Sequence, residues 1–109
     1  MANSPSQQSI IVKVDLISWA NTFVGGSGSG AAEFEEVAAP GGTIRTVLNG
    51  LADRFPRLRE SLWDESDRSR IGPHIEIIVN DAILGVTHDL DSPVRKGDHI
   101  ILTGQYVGG

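Results

Sequence analysis

The sequence predicts an α+β domain: a small mixed sheet with one main helix packed across it. Three observations point there. Ile44, Val47, Leu48, Leu51, Ala52 and Phe55 recur at i, i+3, i+4, i+7, i+8 and i+11, a spacing that only a helix turns onto one face. Short runs with apolar alternation stand on both sides of it, at "IIVKVDLIS", "HIEIIVND" and "HIILT". The 109 residues, 39% hydrophobic and without an internal repeat, suit one domain with one modest core.

Residues 1–9 read as a disordered lead-in, polar and without an apolar pattern. The first strand starts at Ile10. Val12, Val14 and Leu16 fall with Ile10 on one side, and Ile11, Lys13, Asp15 and Ile17 on the other. "VGGSGSGAA" at 24–32 is flexible by composition. With "EFEEVAA" after it as a short second strand, the pair reads as a long, loose hairpin. "PGGT" at Pro40–Thr43 is a turn that ends in a plausible N-cap threonine. The main helix follows, weakened at Gly50 and stopped at Pro56. A short helical piece carries Leu58 and Leu62, and "WDESDRSRIGP" is a polar loop. The third strand points Ile75, Ile77 and Val79 one way, and Asn80-Asp81 turns it into a short return strand around Ala82–Leu84. After the polar connection "DLDSPVRKGD" comes the last strand, so the domain spans 10–104 and residues 105–109 form a flexible tail.

The formal charge of −5 argues against nucleic-acid binding, which needs a concentrated basic face. With no cysteine, disulfides, thiolate metal ligands and chemistry on the chain's own thiols are excluded. The N-terminus lacks the pattern of a signal peptide and no apolar run has the length of a membrane span, so a soluble cytoplasmic protein is expected. Gly26-Ser27-Gly28-Ser29-Gly30-Ala31 matches the dinucleotide-binding glycine pattern in form. It lacks the strand-to-helix turn that gives the pattern its chemistry, and reads as a loop. His74, His88 and His99 have carboxylates nearby in sequence but no ligand-type spacing, so no metal is expected. No serine stands in a nucleophile-elbow context, and the arginines are interleaved with acids as on a mixed surface.

The end of the chain, "GQYVGG", is the most informative stretch. Gln105 to Gly109, fully extended, reach at most about 17 Å beyond the last strand, far enough to enter a channel in another protein. Gly108 and Gly109 have no Cβ to meet a narrow wall and accept any backbone angle. Tyr106, an aromatic beside a mobile tail, is a candidate docking anchor. Ile11 and Ile17, on the open side of the first strand, are candidates for an apolar docking patch.

Four motifs in order resemble the MoaD/ThiS-type ubiquitin-like sulfur-carrier family. "APGGTIRTVLNGLADRFPRLRESL" is similar to its turn and helix, and "PHIEIIVND" to its central strand and turn, with Asp81 in place of the usual glycine. "LDSPVRKGDHIIL" is similar to its loop of the form L-x-T/S-P-L-x-x-G-D-x-V, and "VGG" to its ending. The Gly/Ser loop is longer than usual, and "GQY" stands where proline or small residues are common. The resemblance implies a β-grasp fold and a protein that is a co-substrate rather than an enzyme. It makes the Gly109 carboxylate the reacting group, with Gln105, Tyr106, Val107 and Gly108 contacting partners. It implies no bound cofactor. A MoeB/ThiF-type activating enzyme would use ATP to adenylate Gly109, and a persulfide donor would convert it to a thiocarboxylate. A sulfur-accepting enzyme or a large synthase subunit would then take the sulfur.

Two further roles use the same first step: a ubiquitin-like modifier joined through Gly109 to target lysines, and the small subunit of molybdopterin synthase. A fourth reading, of another class, is a β-grasp interaction domain with an inert tail.

Overall fold

A computed structural model describes residues 9–104. Five strands form one sheet in the order β2-β1-β5-β3-β4: β1 (Ile10–Ile17), β2 (Ala31–Ala38), β3 (Ile75–Val79), β4 (Ala82–Ile83) and β5 (His99–Gly104). β1 pairs antiparallel with β2 and parallel with β5, and β5 pairs antiparallel with β3, so the sheet is mixed as expected. Helices α1 (Ile44–Arg54) and α2 (Pro56–Leu62) cover one face. Val12, Val14, Leu16, Ile77, Val79, Ile100 and Leu102 meet Ile44, Val47, Leu48, Leu51, Leu58 and Leu62 there, each at most 3% exposed.

The helix begins where the sequence places it. Thr43 Oγ1 accepts from the Thr46 amide while Thr46 Oγ1 accepts from the Thr43 amide, a reciprocal cap built from two threonines. The next two orphan donors, Ile44 N–H and Arg45 N–H, are taken by the carbonyls of Ser92 and Leu90 at 3.1 and 2.8 Å. The "LDSP" loop is therefore a second cap for α1, which ties two distant motifs into one structural unit. Pro56 ends α1 and occupies the first turn of α2, where its missing N–H costs nothing.

Gly50, a weak helix former inside α1, has a local reason. A Cβ there would lie 3.3 Å from Glu36 Oε2. Glu36 points to the helix side of β2, is 8% exposed and pairs with Arg54 at 3.2 Å. Burial pushes its carboxyl up from the ordinary value, and the nearby guanidinium only partly opposes this.

The β3–β4 connection is a two-residue turn with positive φ at both positions, 49° at Asn80 and 72° at Asp81, which matches the right-handed twist of the strands. Asn80 Nδ2 donates to Asp98 Oδ1 at 3.0 Å, and Asn80 Oδ1 accepts from the His99 amide at 2.9 Å. Asp98 Oδ2 accepts from the Arg95 amide at 2.7 Å. The Gly-Asp of "RKGDHI" thus closes its own turn and braces the hairpin across β5.

The Gly/Ser stretch departs from its composition. After β1 the chain makes a 3-10 helix, Ser18–Val24, whose Asn21 is 3% exposed. Asn21 Nδ2 donates to the carbonyls of Ser29 (2.9 Å) and Gly30 (3.3 Å), and its Oδ1 accepts from the Gly28 amide at 2.7 Å. Backbone bonds from Gly26 to Asn21 O and from Ser18 to Gly30 O close the loop, at 2.8 and 3.0 Å. A loose linker was expected; one buried amide instead pins it. No helix among the described residues is long and apolar enough to cross a membrane.

Candidate functional site

Gln105, Tyr106, Val107, Gly108 and Gly109, the residues on which the sequence reading centres, lie outside the described residues, as do residues 1–8. What the structure describes is the platform from which they leave. β5 lies in the middle of the sheet, hydrogen-bonded to β1 along one side and β3 along the other. Its last residue, Gly104, pairs with Ile75. A Cβ on Gly104 would lie 1.9 Å from Trp19 Cε2, so the indole rests directly against the point of exit and only glycine fits beneath it. Trp19 belongs to the 3-10 helix that Asn21 secures, and its ring meets Phe23 edge-on at 5.5 Å.

The sheet face away from the helices is the second feature. Its residues are aligned by register. Glu33, Asp15, Ile101, Ile78 and Ile83 form one row across all five strands, and Glu35, Lys13 and His99 a neighbouring row. Ile101 and Ile78 are half-buried and Ile83 is 53% exposed, giving an apolar strip on β5, β3 and β4. Ile11, 56% exposed, pairs across the strands with Val37, 67% exposed, so the expected apolar spot exists but is shared with β2. Ile17 is half-buried.

The larger strip was not singled out from sequence, although its signal is present. In "EIIV" and "HIIL" the inward positions are Ile77, Val79, Ile100 and Leu102. The intervening Ile78 and Ile101 must then point outward.

Asp15 sits between the two apolar regions. It is only 8% exposed, and Oδ2 lies 2.8 Å from His99 Nε2 while Oδ1 is buried without a hydrogen-bond partner among the described residues. Lys13 and Glu33 pair loosely beside it at 3.7 Å. His74, His88 and His99 do not converge. Among the described residues no group of three or more metal-ligating side chains comes together.

No family model matches the chain, and no curated protein does. Solved structures do. Small archaeal modifier protein 1 from Methanosarcina acetivorans superposes with a TM-score of 0.69 at 19% identity, covering 94% of this chain and 99% of that one. The crystal structure of an Amycolatopsis orientalis BexX/CysO complex matches with a TM-score of 0.67 at 21% identity, over 90% and 99%. A putative molybdopterin converting factor, subunit 1, from Pyrococcus furiosus matches with a TM-score of 0.60 at 18% identity, over 89% and 99%. At these identities the likeness shows the fold. A mixed five-stranded sheet crossed by α1, with β1 and β5 parallel at its centre, is the ubiquitin-like β-grasp, and that is the fold of this chain.

Proposed function

We propose that the protein is a ubiquitin-like sulfur carrier, a co-substrate whose reactive group is the carboxylate of Gly109. The observation that carries this reading is the pairing of a β-grasp body with a central β5 that delivers "QYVGG" from the middle of the sheet. An ionised carboxylate resists nucleophiles, because its charge is spread over two oxygens and oxide is a very poor leaving group. Attack on the α-phosphorus of ATP by that carboxylate gives an acyl-adenylate and releases pyrophosphate. The terminal sulfur of a partner's persulfide then adds to the acyl carbon and AMP leaves. A second partner thiol cleaves the resulting acyl disulfide, freeing the thiocarboxylate and leaving a disulfide on the partner. The chain has no cysteine, so every thiol in the sequence belongs to partners. ATP is likewise used by an activating enzyme of the MoeB/ThiF type, and the protein itself is not a catalyst. A sulfur-accepting enzyme or a large synthase subunit would take the thiocarboxylate.

The test is intact mass spectrometry after incubation with ATP, such an activating enzyme and a persulfide source. An oxygen-to-sulfur mass gain, lost when Gly109 is deleted, is expected. No gain, with an enzyme shown to be competent on another carrier, would sink the reading.

A second reading, a modifier joined through Gly109 to lysine amines, is favoured by the structural match to a small archaeal modifier protein. Lysines of the source proteome that carry the tryptic remnant 97–109 through an isopeptide bond would select it. The match to a putative molybdopterin converting factor subunit supports a third assignment within the sulfur chemistry. Co-purification with a large synthase subunit would select that one.

A further inference from the structure

A cleft of about 500 Å³ opens beside the exit point of β5. Its floor is aromatic and apolar: Trp19, Phe23, Trp63 and Pro73. Its rim carries Glu60, Asp64 and Glu65, with His74 as the one basic residue and no lysine or arginine. The walls are built rather than accidental. Trp63 is anchored by its Nε1–H donating to Asn49 Oδ1 at 3.0 Å. Gly72 lets the 63–73 loop run against α2, since a Cβ there would lie 2.4 Å from the Ser61 carbonyl oxygen, and its amide donates to Leu62 O at 2.8 Å. Asp64 is committed to its own turn through Ser66. Glu60 and Glu65 are exposed and form no ion pair among the described residues.

We infer that this cleft docks an arginine-bearing segment of the protein that takes up the tail. The Trp63 ring already has the Arg45 guanidinium 5.6 Å from its centroid, so Trp19 and Phe23 are the rings on offer; a planar cation over them is attracted by the ring face, and carboxylates at the rim strengthen the pull and fix its direction. The occupant's identity follows from position. The Trp19 indole touches Gly104, and residues 105–109 reach at most about 17 Å. Any protein that holds Gly109 in its active site must therefore come close to this cleft, and an overall charge of −5 favours a basic surface on it. The inference rests on the carrier reading for the occupant, and on the cleft alone for the chemistry.

Two arms separate these. In the first, ¹⁵N-labelled protein is titrated with acetyl-Gly-Arg-Gly-amide and, as a control, acetyl-Gly-Gln-Gly-amide. The arginine peptide alone should shift the Trp19 indole N–H, Phe23, residues 60–65 and His74, and a Glu60→Lys/Glu65→Lys variant should lose the pattern. Shifts spread equally over Glu33, Glu35 and Asp89, or absent altogether, overturn the proposal. Equal shifts at residues 60–65, away from the new carboxylate at Gly104, on deleting 105–109 would make the chain's own tail the occupant and overturn the assignment to a partner.

In the second arm, adenylation kinetics with the activating enzyme should show KM for the double variant raised about tenfold with kcat little changed, the pattern of lost uniform binding. An unchanged KM, with wild type turning over, overturns the partner assignment. Wild type failing to be adenylated refutes the carrier reading instead, and the peptide arm then decides the cleft.

Discussion

Replacing Asn21 with alanine removes three hydrogen bonds from a residue that is 3% exposed: two donated to the Ser29 and Gly30 carbonyls and one accepted from the Gly28 amide. Each such bond contributes about 0.5–1.5 kcal/mol net. The 3.3 Å bond to Gly30 belongs at the bottom of that range, since that carbonyl keeps the Ser18 amide as a donor, and the freed Ser29 carbonyl lies in an exposed residue where water replaces the lost donor. The Gly28 bond, at 2.7 Å to a buried residue, belongs near the top. Together they give a loss of about 2–3 kcal/mol. For a domain of this size that lowers Tm by roughly 8–20 °C.

Urea unfolding measures the free energy directly, with the slope m unchanged if the denatured state is unaffected. Hydrogen exchange at the Gly28 amide localises the effect, because that amide should lose protection before the β1–β5 ladder does. A loss under about 0.5 kcal/mol, with Gly28 exchanging as in wild type, would refute the claim that one buried amide orders the loop.

Asp81→Gly should stabilise by about 0.5–1 kcal/mol, because φ of 72° is strained for aspartate and free for glycine; a Tm equal to or below wild type refutes it. Gly104→Ala should destabilise by about 1–3 kcal/mol, because the new Cβ overlaps the Trp19 indole and one of them must move. Tryptophan fluorescence should change with it, and an unchanged spectrum and midpoint would count against the packing at the exit point.

Glu36→Gln probes burial. The folded-state carboxyl lies above its ordinary 4.5, so Glu36 contributes stability at low pH that is lost as pH rises through the folded value. The glutamine variant should therefore gain on wild type between acid and neutral pH, by about 1.4 kcal/mol for each unit of displacement. A gap that is flat or narrows with rising pH would show that the Arg54 pair outweighs desolvation.

Most of this architecture follows from periodicity. The helix face at Ile44, Val47, Leu48, Leu51 and Ala52 and the inward rows of β1, β3 and β5 are all buried as their spacing requires. Thr43 caps, Pro56 breaks and Asn80-Asp81 turns for local reasons that a single sequence displays. Long-range contacts decide the rest. Asn21 in "SWANTFV" looks like any loop polar residue, and nothing local shows that Ser29 and Gly30 return to it. Asp15 reads as a solvent-facing position of β1, yet its burial depends on β5, more than 80 residues away, where His99 pairs with it. Gly104 looks like an ordinary end of the last strand and Gly50 like a helix defect. Gly104 is required by the Trp19 indole and Gly50 leaves room for Glu36 Oε2, partners that only the folded chain brings near.

The placement of β5 bears on how such a body could serve a reaction at its end. An edge strand is held by one ladder and can be peeled away one hydrogen bond at a time. β5 is held by two: the parallel register from Lys13↔His99 to Leu16↔Leu102, and the antiparallel register from Ile75↔Gly104 to Val79↔Ile100. A partner that draws residues 105–109 into a channel pulls along the strand, so both ladders are loaded in shear and their bonds resist together. Trp19 packs over the final pair of the second ladder, at the point where that load enters. Gly104, past the last pair of the parallel ladder, is thus held by β3 on one side and by Trp19 from above. A partner that contacts the outer sheet face or the cleft beside Trp19 consequently meets a fixed origin for residues 105–109, and about 17 Å of chain is all that it has to guide.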